Sequence, residues 1–143
     1  MLSDLILTFG VMMTASFDNA IKTEFDASIM LFCLIALADG RLKPEEISTI
    51  HEQVDLLKLN GFGDFQNYGF SNWQAFIENL HLAAKNFSVE YTMEQIPIVA
   101  EKITTKSLRS DVLSSIFKIS YADKEYHETE KLIAQKLSQI WDI

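Results

Sequence analysis

Apolar residues recur at three- and four-residue steps along most of this chain, the spacing of helices that bury one face. Leu2, Leu5, Ile6, Phe9, Met12 and Met13 form a first such set. Thr23 followed by Asp26 can open a second helix, apolar through Ala38 on nearly every side, which predicts a central buried helix. Pro44 fits the first turn of a third, with Glu45 and Glu46 at its positive dipole end and Ile47, Ile50, Val54 and Leu57 on its inner face. The segment Asn60 to Phe70, NGFGDFQNYGF, breaks the pattern with three Gly and four aromatic residues and reads as a linker between two halves.

Beyond it, Ser71 with Gln74 has the spacing of a capping box and starts a helix carrying Trp73, Phe76, Ile77, Leu80 and Ala84. Thr92 with Gln95 suggests a further start, and Pro97 fits there only within the first turns. Two last helices are expected from about Ser107 to Ala122 and from about Glu128 to Trp141. No segment alternates with period two. The expected fold is all-α, a compact bundle of six to seven short helices forming one domain over residues 1–143.

The chain also repeats itself. Ala36 to Glu46, ALADGRLKPEE, returns in altered form as Ser120 to Glu130, SYADKEYHETE. In both copies an apolar helical stretch runs into Ala-Asp, a break, and a Glu seven places after the Asp. Asp39 matches Asp123 and Glu46 matches Glu130, both 84 residues apart. An internal pseudo-repeat of helix–Asp-turn–helix units follows.

The two aspartates sit where a carboxylate is disfavoured. Each directly follows an apolar helix, whose negative dipole end costs an acid about 0.3–1 kcal/mol. Two reasons for the placement remain open. The Asp side chain can accept N–H groups of the turn, a cap worth about 1 kcal/mol. Alternatively, the carboxylates and nearby helix-end carbonyls hold a divalent cation. Residues 39–46 carry a net charge of −1 and residues 123–130 a net of −3, so a cation is better held at the second turn, or between the two turns if the repeat brings them together.

These turns resemble those of the TerB family of tellurite-resistance proteins, whose relatives include the N-terminal domains of membrane-anchored DnaJ-like co-chaperones. The resemblance covers about residues 25–59 and 107–143. It implies an all-helical stress-response domain with a pseudo-repeat and an acidic cluster proposed to bind a divalent cation. The family's acidic positions fall on Asp39, Glu46, Asp123 and Glu130. This chain departs in two respects: Lys124 stands where the first copy has Gly40, and Lys43 and His127 replace the small polar residue that usually caps the next helix.

Composition narrows the partners. Twenty acidic and 12 basic residues give a net charge of −8, which repels phosphate backbones and argues against nucleic acid. A cation, or a basic surface on a still unidentified protein partner, suits that charge. The apolar fraction of 48% supports a packed core and leaves room for a homodimer. The one cysteine, Cys33, sits in an apolar run and reads as a small buried side chain in a reducing compartment. The N-terminus makes a weak signal peptide, and the Ile29–Ala38 run is far shorter than the roughly 20 residues of a membrane helix. A cytoplasmic protein without membrane insertion is expected.

Catalytic chemistry is thin. Glu78 and His81 form a single E-x-x-H, whereas a di-iron site needs a second copy and two more glutamates. His127 lies among the second turn's acids, and His51 falls on a polar helix face. No G-x-S-x-G, phosphate-binding loop or Cys–His arrangement is present. The expectation is a non-enzymatic module with no certain cofactor. Its alternative partner site is the aromatic linker, Phe62, Phe65, Tyr68 and Phe70, if these side chains face outward instead of covering the core; the apolar N-terminal helix is a second contact surface.

Overall fold

Thr23 and Asp26 start the first described helix as their spacing requires. The Asp26 N–H donates to Thr23 Oγ1 at 3.1 Å, and the Thr23 N–H donates to Asp26 Oδ2 at 3.2 Å. A computed structural model describes residues 21, 23–38, 42–62, 77–78, 80, 88–122 and 128–143. Five helices have both ends among the described residues: α1 (Glu24–Leu37), α2 (Pro44–Leu59), α3 (Val89–Ala100), α4 (Lys106–Ser120) and α5 (Glu128–Trp141). No strand occurs among the described residues. Six to seven helices were expected. The N-terminal helix lies outside the described residues, as does most of the Ser71 helix; Ile77, Glu78 and Leu80 of the latter are helical, with Ile77 and Leu80 buried.

Helix α1 is the centre of the packing. Every residue from Phe25 to Leu37 is buried, and α2, α3 and α4 all pack against it. A helix apolar on all sides can satisfy itself only when surrounded, so its position follows from its composition. Helix α5 closes the group against α3 and α4. The core joins Ile29, Phe32, Leu34, Ile50, Leu57, Ile96, Ile116, Ile133 and Leu137 in one cluster.

Helix α2 begins with Pro44 at its first position and ends in a turn built on Gly61. There φ is +87°, a left-handed value that favours glycine. The Phe62 N–H reaches Leu57 O and the Gly61 N–H reaches Lys58 O, both at 3.0 Å, the paired bonds of a Schellman stop. Phe62 then packs on the core, the apolar contact that usually accompanies this motif.

Helix α3 corrects the expected start. Ser88 is its N-cap, accepting the Tyr91 N–H on Oγ at 3.1 Å. Thr92 is instead buried inside the helix, and its hydroxyl donates to Ser88 O at 2.8 Å. Pro97 consequently lies in the second half of α3, where it has no N–H to return to the Met93 carbonyl. Helix α4 stops two residues earlier than expected, at Ser120, whereas α5 runs over the expected span.

Side-chain bonds fasten helices far apart in sequence. Ser115 Oγ donates to Gln53 Oε1 at 2.9 Å in the buried seam between α4 and α2. Trp141 Nε1 donates to Ala100 O at 3.0 Å, tying the end of α5 to the end of α3. A further group of bonds joins Glu24 to the start of α4. Among the described residues, no helix is long and apolar enough to cross a membrane.

Candidate functional site

Glu46 and Glu130 are both the third residue of their helices, α2 and α5. Both are buried, with only 3% and 2% of their surface exposed, although neighbouring first-turn acids face solvent. A carboxylate in that position meets the positive end of the helix, which lowers the cost of its burial. For Glu46 part of the compensation is visible. Its Oε1 accepts the Lys43 N–H at 3.3 Å, half of a capping box. Lys43, the N-cap residue, cannot complete the other half, because its ammonium has no lone pair to offer.

Asp39 and Asp123, the other two members of the proposed set, lie outside the described residues, as does His127. Among the described residues, no three His, Cys, Asp or Glu side chains converge to form a metal cage. One further buried oxygen borders the second turn. Ser120, the last residue of α4, is 2% exposed, and its hydroxyl has no hydrogen-bond partner among the described residues.

Of the aromatic linker, Phe62 is described and is half-buried against the core; Phe65, Tyr68 and Phe70 lie outside the described residues. Glu78 is exposed and His81 lies outside the described residues. His51 is half-buried on α2. Cys33 is fully buried, and burial pushes its thiol well above the usual range, which leaves it a core side chain and a poor nucleophile.

The best-formed polar cluster escaped the sequence. Glu24, the first residue of α1, accepts four hydrogen bonds from the residues leading into α4. They come from the Thr104 N–H (2.6 Å), the Thr105 N–H (2.8 Å), Thr105 Oγ1 (2.9 Å) and Thr104 Oγ1 (3.1 Å). Thr105 is the N-cap of α4, yet its own side chain accepts nothing from that helix. Glu24 supplies the negative charge that the first turn of α4 lacks. Burial raises the Glu24 pKa, but the backbone and hydroxyl bonds of Thr105 and Thr104 outweigh it, and the net shift is downward. Its sequence signal was limited to an acid at a helix start, which fits the local dipole and says nothing of a partner 80 residues away.

The fold and these residues define an all-helical protein with two buried helix-start glutamates. The chain matches no family model, no curated protein and no solved structure.

Proposed function

We propose that this protein is a non-catalytic, TerB-like stress-response module whose two Asp-turn–Glu units bind a divalent cation or a basic partner. The carrying observation is the burial of Glu46 and Glu130 at the same position of α2 and α5. A buried carboxylate requires compensation, and a cation held in the adjoining turn supplies it. The pseudo-repeat relates the two sites: α1–α2 and α4–α5 are the helix pairs that flank the turns containing Asp39 and Asp123. In the second turn, Asp123 and Glu130 would hold the ion, with the buried Ser120 hydroxyl available as a further oxygen. A donor set made only of oxygen suits Ca²⁺, Mg²⁺ or Mn²⁺ better than Zn²⁺.

A second reading has its own observation. The Lys43 N–H bond to Glu46 shows a carboxylate already employed as a cap. If all four acids serve in that way, the protein is an interaction scaffold whose aromatic linker or apolar N-terminal segment makes the contact.

Thermal unfolding of metal-stripped protein separates the two. A saturable rise in Tm with one ion, abolished by Asp123→Asn with Glu130→Gln, is the expected result; saturation at about 100 times Kd corresponds to ~2.7 kcal/mol. A flat response through the millimolar range refutes the cation site and leaves the acids as caps.

A further inference from the structure

Helix α3 turns an acidic face outward. Glu90, Glu94, Ile98 and Glu101 are all exposed and follow one another at four, four and three residues, a single line along the helix. The stripe runs about 16 Å at 1.5 Å per residue. Ile98 keeps 45% of its surface in solvent between two of the glutamates. Helix α3 contains no Lys or Arg. None of the three glutamates makes an ion pair or a side-chain hydrogen bond among the described residues.

Glu90 lies in the first turn, where the dipole favours an acid, but the rest of the arrangement works against the helix that carries it. Glu90 and Glu94 are a like-charge pair at the four-residue spacing, which destabilises an isolated helix. Glu101 caps the C-terminal end, where the dipole is negative and a cation would be favoured. Pro97 adds a further electronegative group, because the Met93 carbonyl loses its usual donor. The outward stripe of α2 differs: there Asp55 lies 3.7 Å from Lys58 and is partly neutralised.

We infer that the outward face of α3 is a docking surface for a basic amphipathic helix of a partner protein. Its Lys and Arg side chains would lie along Glu90, Glu94 and Glu101, with one apolar residue set against Ile98. Charge complementarity selects this occupant. A single metal ion cannot bridge carboxylates spread over three helical turns, and no metal-holding group forms among the described residues. A nucleic-acid backbone is repelled by the same charges. Glu90, Glu94, Ile98 and Glu101 belong to neither Asp-turn–Glu unit, so the two assignments are tested through different residues.

The test uses the full chain and a fluorescent synthetic helix with lysines flanking a central leucine on one face. Anisotropy should show saturable binding that weakens with added salt. E90Q/E94Q/E101Q should weaken it about tenfold, the sum expected of three rim charge contacts. I98S, which leaves every charge in place, should weaken it about fivefold. Asp123→Asn with Glu130→Gln should leave peptide binding unchanged. Any of three results overturns the inference: no saturable binding, an unchanged Kd in the triple variant, or spermine competing as well as the peptide. Unchanged circular dichroism of the variants keeps a loss of binding from being a loss of fold.

Discussion

Removing the Glu24 carboxylate tests how α1 is fastened to α4. In Glu24→Ala two backbone N–H groups and two hydroxyls lose one shared acceptor. All four donors are exposed, so water replaces much of what is lost and the full strength of buried charged hydrogen bonds does not apply. The closest precedent is deletion of a helix N-cap, at about 0.5–2 kcal/mol. Glu24→Ala should therefore cost about 1–2 kcal/mol at pH 7, and Glu24→Gln about half as much, because the amide oxygen still accepts but carries no charge. For a chain of this size that is a fall in Tm of about 2–4 °C per kcal/mol. Urea unfolding should show a lower midpoint with an unchanged slope.

The pH dependence gives the sharper test. Burial pushes the Glu24 pKa up, the Thr105 and Thr104 bonds pull it down further, and the folded value lies below the ordinary 4.5. A depressed carboxylate pKa contributes stability that is complete above the unfolded value and is lost as pH falls through the folded one. The difference between the natural chain and Glu24→Gln should accordingly be constant from pH 7 to about 5 and shrink below about 4. A difference that persists unchanged in acid, or a Gln variant as stable as the natural chain at pH 7, would refute the charge-assisted cap.

Two further substitutions address single features. Gly61→Ala should cost about 1 kcal/mol, from the left-handed φ alone, since an added Cβ meets nothing within 4 Å; a loss above about 3 kcal/mol in urea unfolding would show that packing is involved instead. Ser115→Ala should cost about 1–3 kcal/mol by stranding the buried Gln53 oxygen. Combining it with Gln53→Met should cost less than the sum of the two single changes, and strict additivity in that double-mutant cycle would deny the bond between α2 and α4.

What the sequence showed of the fold was what neighbouring residues decide. The Thr23–Asp26 spacing fixed the start of α1, Pro44 the start of α2, and the all-round apolar run of α1 its central place. The start of α3 was misplaced because Ser88 and Thr92 are both acceptable caps by type, four residues apart. Thr92 lost because its β-branched hydroxyl can bond back to the Ser88 carbonyl from within a helix. Asn60, Gly61 and Phe62 were read as the opening of a linker, yet Gly followed by an apolar residue is also the signature of a helix stop, and that is what they form.

The candidate site divides along the same line. Asp26 and Glu46 act on N–H groups three residues away, Thr23 and Lys43, so spacing alone can suggest them. Glu24 performs the same chemistry on a helix start 80 residues distant, and nothing in its neighbours distinguishes it from an ordinary first-turn acid. Gln53–Ser115 and Trp141–Ala100 are hidden for the same reason, since each partner is chosen by packing against α1, α3 or α4. A carboxylate at a helix start is thus legible as a cap only when its donor is local. That is why the repeated Asp and Glu positions could be found in the sequence while only part of their role could: Glu46 caps a local N–H, whereas any further donor or ion is set by how the two helix pairs meet.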